Sequence, residues 1–268
     1  MCEVDLVNPD EAALPFDVRK PNIARVYDFL LGGKDNFEAD RAEARRILAV
    51  YPSLARLMRD NRLFLDRSVT ALVDAGITQF LDLGSGLPTT ANTHEVAKTA
   101  NSDVRVVYVD NDPVVVNHAH VLLQSPGVAA VQADITDPEA VLALPEVREL
   151  IRLDEPVGVI LASVLHFFPA ETVERVLDGY LKPLVPGSYV ALSWSWTDPV
   201  FRQELAQEYT AASFWHHSRD ELSRYLSGLE LIDPPGITEA RHWTPGEAGV
   251  EIDDPVHFFA AVARKPEA

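Results

Sequence analysis

The stretch Phe80-Leu81-Asp82-Leu83-Gly84-Ser85-Gly86-Leu87-Pro88-Thr89 passes from an apolar run through two glycines into a helical pattern beginning near Thr90. A buried strand, a tight turn and a helix, in that order, bring the backbone of Gly84 and Gly86 to the carboxyl end of the strand. There the missing side chains let a ligand come close. A Gly-x-Gly pair is weak by itself; its weight comes from the strand before it and the helix after it.

Working outward toward the C-terminus, short β-rich runs alternate with helical stretches: Gln79–Leu83, Arg105–Val109, Ala129–Ala133, Val157–Ala162 and Tyr189–Ser195. Such alternation builds βαβ units and a parallel sheet covered on both faces. Asp112-Pro113, Asp137-Pro138 and Asp198-Pro199 each read as a helix start, with Asp capping free amides and Pro in the first turn. Ser218-Arg219-Asp220-Glu221 is a capping box that opens another helix. Leu229–Ile232 and Val256–Ala263 read as strands with no helix between them, which predicts an antiparallel addition at the sheet edge.

Working outward toward the N-terminus, residues 21–75 are helical in pattern. Ile23, Val26, Tyr27, Leu30 and Leu31 define a first helix stopped by Gly32-Gly33; the others run through Arg41 to Val50 and from about Ser53 to Ala75. Gly76 is placed to cap the third. The expectation is an α/β, Rossmann-like fold, with a mostly parallel seven-stranded sheet, an antiparallel edge strand and an N-terminal helical extension. It divides into a helical lid over 1–75 and a ligand-binding domain over 76–268.

With 268 residues, 47% hydrophobic and 24% charged, the chain can bury a sizeable core without staples. Cys2 is the only cysteine, which excludes an intrachain disulfide and a thiolate metal cluster. His216-His217 has neither the spacing nor the carboxylate company of a metal pair, so no bound metal is expected. A net charge of −18 argues against nucleic acid or anionic membrane as partners. That charge is uneven, since residues 15–75 hold 11 Lys/Arg against 9 Asp/Glu. Met1 to Ala13 lacks the regions of a signal peptide, and no apolar run approaches the roughly 18 residues that span a bilayer. A cytoplasmic protein is expected.

Three successive strands end in an aspartate: Asp82, Asp110 and Asp134. Asp110 lies 24 residues beyond Gly86, where a carboxylate can accept hydrogen bonds from two ribose hydroxyls. Asp134 and the Ile135 amide could read an adenine edge. NAD and S-adenosylmethionine both suit this outline. A dinucleotide turn wants a third glycine where this chain has Thr89, and Asp82 would repel a pyrophosphate. The same carboxylate suits a ligand bearing an ammonium and a sulfonium.

Further matches lie in Pro21-Asn22-Ile23-Ala24-Arg25-Val26-Tyr27-Asp28, Leu31-Gly32-Gly33-Lys34-Asp35-Asn36-Phe37, Asn61-Arg62-x-Phe64-Leu65 and Val107-Tyr108-Val109-Asp110-Asn111-Asp112-Pro113. With these the chain resembles, over nearly its whole length, an actinomycete-type S-adenosylmethionine-dependent methyltransferase family formerly known as a domain of unknown function. The resemblance implies a class I methyltransferase fold and cofactor binding, and names no acceptor. By the same likeness Asp82, Gly84 and Gly86 surround the methionine portion, Asp110 takes the ribose, Asn111 lies beside the adenine, and Asp134 with Ile135 reads its edge. Ser163 then faces the methyl group.

His166, in Ala162-Ser163-Val164-Leu165-His166-Phe167-Phe168-Pro169, has two readings: a general base for a hydroxyl or amine, or a hydrogen-bonded core histidine. Trp194, Trp196, Phe214 and Trp215 are candidates for an apolar acceptor pocket. The Gly32-Gly33 loop is expected to approach the ligand, with Tyr27, Lys34 and Asn36 completing the site and Tyr27 or Phe37 offering a ring to the sulfonium. The expected activity is methyl transfer to oxygen or nitrogen of a small-molecule acceptor. Its competitors are a non-catalytic cofactor-binding protein and an NAD-dependent oxidoreductase. Oligomeric state is left open.

Overall fold

The structure, a computed structural model, describes residues 17–89, 91–122, 124–198, 209–249 and 256–267. Three helices come first: α1 (Ile23–Leu31), α2 (Glu38–Val50) and α3 (Leu54–Asp74). Asn22 opens α1 by accepting from the amides of Ala24 and Arg25 at 2.8 and 3.3 Å, a cap worth about 1 kcal/mol. Gly32 closes it at φ +85°, the left-handed conformation that favours glycine.

The α/β body follows. Strands β1 (Gln79–Leu83), β2 (Arg105–Asp110), β3 (Val128–Gln132), β4 (Gly158–Ala162) and β5 (Tyr189–Thr197) pair in parallel in the order β3-β2-β1-β4-β5. Between them run α4 (Thr93–Ala100), α5 (Pro113–Leu122), α6 (Pro138–Ala143), α7 (Pro145–Leu150) and α8 (Ala170–Leu181). Helix α9 (Arg219–Tyr225) opens on the Ser218 capping box, and β6 (Glu230–Leu231), β7 (Thr238–Glu239) and β8 (Val256–Arg264) complete the sheet. Asp112 accepts from the Val114 amide at 2.7 Å and Asp137 from the Ala140 amide at 3.1 Å, so both act as caps. The helix start read at Asp198-Pro199 lies outside the described residues.

The sheet differs from expectation in two ways. It has eight strands rather than seven, because two-residue β7 pairs with β8 beside β6. Strand β8 is antiparallel as expected but internal, running against β5 from Tyr189–Arg264 to Thr197–Val256 with β6 and β7 on its other edge. The helix after the glycine turn begins at Thr93, not near Thr90, since Asn92 and Glu95 form the capping box.

Side-chain alternation along each strand sorts the core into two layers. Phe80, Val106, Tyr108, Ile160, Ala191 and Phe258 face α1–α3, and Leu81, Leu83, Val107, Leu161, Leu192 and Trp194 face the layer built with α6, α7 and α8. Phe64 of α3 meets Trp243 edge-on at 5.3 Å, and Arg67 donates to the carbonyls of Ala240 and Trp243, both at 2.7 Å. The N-terminal helices therefore share one hydrophobic layer with the sheet. No helix among the described residues is long and apolar enough to cross a membrane.

Candidate active site

A cavity of about 340 Å³ lies at the carboxyl ends of the parallel strands, roofed by α1 and α3. That is the place where open α/β sheets bind ligands. Its walls divide along the sheet. The ends of β1, β2 and β3 supply Asp82, Gly84, Ser85, Gly86, Asp110, Asn111, Asp112, Ala133 and Ile135.

The turn after β1 wraps the end of β2. The amides of Gly84 and Ser85 both donate to the Val109 carbonyl, at 2.8 and 3.2 Å. Gly84 sits at φ +70°, and a Cβ there would stand 2.6 Å from Val164 Cγ2. Gly86, at φ +66°, would carry its Cβ into open space. Asp110 is held from both sides, Oδ2 accepting from the Gly86 amide at 2.9 Å and Oδ1 from the Asp112 amide at 3.0 Å. The Asn111 amide also contributes to holding it, and the carboxylate's roughly four acceptor sites still leave room for an incoming hydroxyl. Burial raises the Asp110 carboxyl above its ordinary range.

Asp82 is buried and accepts from Thr93 Oγ1 at 2.6 Å. Burial pushes its carboxyl up to about 6; the Thr93 hydroxyl and Arg62 oppose that rise and Asp110 adds to it. Arg62 of α3 lines this end of the cavity and donates to the Ala91 carbonyl at 2.8 Å. The Asn61-Arg62 motif is visible in the sequence, but no periodicity says which of its residues meets the turn.

The loop after α1 departs from expectation. Lys34 is exposed and neither it nor Asn36 lines the cavity. Asn36 Nδ2 instead donates to Asp28 Oδ2 at 2.7 Å, and the Asp35 amide donates to the same oxygen at 2.9 Å. A Cβ on Gly33 would collide with Asp28 Oδ1 at 1.9 Å. The second glycine thus makes room for a carboxylate of the chain itself rather than for a ligand. The roof comes from helix faces, with Tyr27 of α1 lining the cavity and its hydroxyl held by Asn61 Nδ2 at 2.9 Å. Asp134 also lies outside the lining, since it is exposed and accepts from the Thr136 amide at 2.9 Å. Ile135 and Ala133 line the wall in its place.

The ends of β4, β5 and β8 build the other half. Ser163 follows β4 at φ +62°, unusual for a residue with a side chain, and its amide donates to Ser193. His166 lines the cavity while being 97% removed from solvent. Its Nδ1 accepts from the Ser195 amide at 3.2 Å, and burial lowers the ring to about 3. An amide can only donate, so the neutral ring carries its hydrogen on Nε2. A ring in this state can donate from Nε2 and does not take up a proton there.

Around it stand Phe214, stacked at 4.7 Å, Phe167 at 4.3 Å and Phe258 edge-on at 6.1 Å, with Tyr209 stacked on Phe167 at 6.4 Å. Trp194 and Trp196 do project to one side of β5, but it is the side away from the cavity. Trp194 packs into the opposite layer and donates to the His217 carbonyl at 3.2 Å, and Ser195 between the two faces the cavity. Trp215 is exposed. Glu43 of α2, fully buried, accepts from the Thr210 amide, from Thr210 Oγ1 at 2.9 Å and from the Ala211 amide at 3.1 Å. It thereby fixes the segment that carries Tyr209 and Phe214.

A family model described as S-adenosyl methyltransferase matches residues 9–266. The chain belongs to that family. Its cofactor is S-adenosylmethionine. Among solved structures, a protein of Thermobifida fusca YX described as a candidate methyltransferase is 42% identical, with 94% of this chain and 97% of that one covered at a TM-score of 0.85. A duf574 family protein of Streptomyces avermitilis MA-4680 is 37% identical over 93% and 99% of the two chains, also at 0.85. The N-methyltransferase NodS of Bradyrhizobium japonicum WM9, solved with S-adenosyl-l-homocysteine, is 14% identical over 91% and 100% at 0.51 and shares the fold. No curated protein sequence matches the chain. The residues of this methyltransferase-family site fit the cofactor. Gly86 leaves open space where a side chain would stand, and the buried Asp112 Oδ2, 3.9 Å from Arg25 Nη1, makes no hydrogen bond.

Proposed function

We propose that the chain transfers the methyl group of S-adenosylmethionine to an oxygen or nitrogen of a small molecule. The observation that carries this reading is one cavity whose two halves adjoin where Gly84 packs against Val164, one half lined by buried carboxylates and the other by rings. Asp110 would hold the ribose hydroxyls, Asn111 and Ile135 would flank the adenine, and Asp82 with Gly84 and Gly86 would surround the methionine portion. Arg62, the one cationic side chain in the described lining, would take its carboxylate. Helices α1–α3 act in this reading as the lid of the domain that follows.

Bound S-adenosylmethionine would supply an electrophilic methyl carbon, its sulfur keeping the bonding pair as the methyl passes to the acceptor, whose proton would be lost to bulk water. The residues contribute position and exclusion of water, and a dedicated base is not required. Incubation with S-adenosylmethionine and a library of hydroxyl and amine compounds tests the reading through S-adenosylhomocysteine release. Tight S-adenosylhomocysteine binding with no turnover on any compound would favour a non-catalytic binder, and stabilisation by NAD alone would overturn the cofactor assignment.

A further inference from the structure

The charged side chains that line the cavity are Asp28, Arg62, Asp82, Asp110 and Asp112, and all come from α1, α3 or the ends of β1 and β2. Among the described residues, the half built from β4, β5, β8 and 209–214 contributes no Lys, Arg, Asp or Glu to the lining. The buried carboxylates behind it are already engaged, Glu43 with Thr210, Ala211 and Arg46, and Glu239 with His257 and the Phe258 amide. An ionised acceptor entering this half would lose its water and meet no counter-charge among the described residues that line it, a cost of several kcal/mol. A flat apolar molecule would instead meet Phe167, Tyr209, Phe214 and Phe258, whose rings already contact one another or His166 edge-on and stacked.

In this apolar wall His166 stands apart. Its Nδ1 is committed to the Ser195 amide, while its Nε2 hydrogen finds no acceptor among the described residues. We infer that the methyl acceptor is an uncharged aromatic molecule, and that His166 is a positioning residue whose Nε2 hydrogen bonds to an oxygen or nitrogen of that molecule. This inference rests on the methyl-transfer reading above. It reverses the direction of the His166 hydrogen bond expected of a base: the ring gives a hydrogen to the acceptor and takes none away. Phe214 stacks on the ring and the Ser195 amide holds Nδ1, so the donor direction is fixed before the acceptor arrives. His216 and His217 are the other titratable rings that influence it, and both disfavour its protonation.

The test is calorimetry on the full chain saturated with S-adenosylhomocysteine, titrated with 1-naphthol, its saturated analogue decahydro-1-naphthol, naphthalene, 1-naphthoate and 1-naphthylmethylamine at pH 7.5. The expected result is 1-naphthol binding at least tenfold more tightly than the anion, the cation or the saturated alcohol. His166→Phe keeps a ring and removes the donor. It should weaken 1-naphthol about tenfold and leave naphthalene within twofold, as losing one neutral hydrogen bond predicts. His166→Gln, which restores a donor near the same place, should recover part of that loss. The wild-type panel stands even where His166→Phe does not fold. The inference is overturned if either ion binds as well as 1-naphthol, or if no neutral aromatic binds while S-adenosylhomocysteine does. Failure of S-adenosylhomocysteine to bind the wild-type chain would instead remove the methyl-transfer reading beneath it.

Discussion

The ends of β1, β2 and β3 carry three buried aspartates, a glycine turn and a nearby arginine, whereas the ends of β4, β5 and β8 carry rings, two serines and a neutral histidine. In the proposed reading the first half would recognise through charge and directed hydrogen bonds, so that its ligand is specified group by group. The second would recognise through shape and desolvation, with a single oriented donor. A consequence is that the halves should fail separately: substitutions in one should leave ligands of the other nearly untouched, because no described ion pair crosses between them.

The sharpest way to break that separation is Asp110→Ala. On the proposed ribose assignment it would remove hydrogen bonds to two hydroxyls, each worth about 1.5–3 kcal/mol when charge-assisted. Allowing for water, S-adenosylhomocysteine affinity should fall about 30-fold or more while circular dichroism stays native. Calorimetry on the folded variant checks it, and unchanged affinity would mean that the ribose lies elsewhere.

Asp82 offers a pH test of the same half. Its folded pKa of about 6 lies above the ordinary carboxylate value, so the folded chain holds this proton more tightly than the unfolded chain does. Stability from this group is therefore present below about pH 4 and is lost as pH rises through 6. Asp82→Asn should raise the ligand-free stability at pH 7.5 by about 2 kcal/mol and change little at pH 4, read by denaturant titration at both values. Binding has the opposite sign. A cationic methionine portion needs the carboxylate ionised, so S-adenosylhomocysteine affinity should weaken about tenfold between pH 7 and pH 5 in the wild type and much less in Asp82→Asn.

Arg62→Gln sharpens the assignment within that half. Affinity for S-adenosylhomocysteine should fall about fivefold, while 5′-methylthioadenosine, which lacks the carboxylate, should bind as before. Equal weakening of both ligands would place Arg62 against the nucleoside instead. The smallest effects belong to the loop after α1. Asn36→Ala should cost about 1–2 kcal/mol of stability, because it strips a buried partner from Asp28, with cofactor affinity nearly unchanged. Lys34→Ala should leave melting temperature, affinity and turnover within error.

Much of the first half was legible in the sequence. Asp82, Gly84, Gly86, Asp110, Asn111 and Ile135 sit within short spans after apolar runs, so strand periodicity alone brings them to one edge. Asp134 shows the limit of that logic: it ends its strand in register, yet its side chain turns back to the Thr136 amide. Gly33 shows another limit, since a glycine that makes room for Asp28 looks in sequence like one that makes room for a ligand. The second half was largely hidden. Tyr209, Phe214, Val256 and Phe258 gather around His166 from distant segments, and nothing local states that Ser195 rather than its tryptophan neighbours faces inward. That choice depends on which layer covers β5. The two-residue β7 is too short to leave any periodic trace.

The internal position of β8 has a consequence for how the protein comes into being. Every described residue that lines the carboxylate half lies before residue 136, so that half can be assembled from the first half of a growing chain together with its helical roof. The other half waits for Val256 and Phe258, carried by a strand that must lie against β5 along its whole length before β6 and β7 have an edge to join. Such long-range pairing is slow, and until it is made β5 presents an unpaired edge. During synthesis the chain therefore acquires its means of holding a nucleoside well before its means of holding an acceptor. The interval between the two is the time in which exposed β5 is open to capture by another strand, and it is the step of maturation most exposed to aggregation.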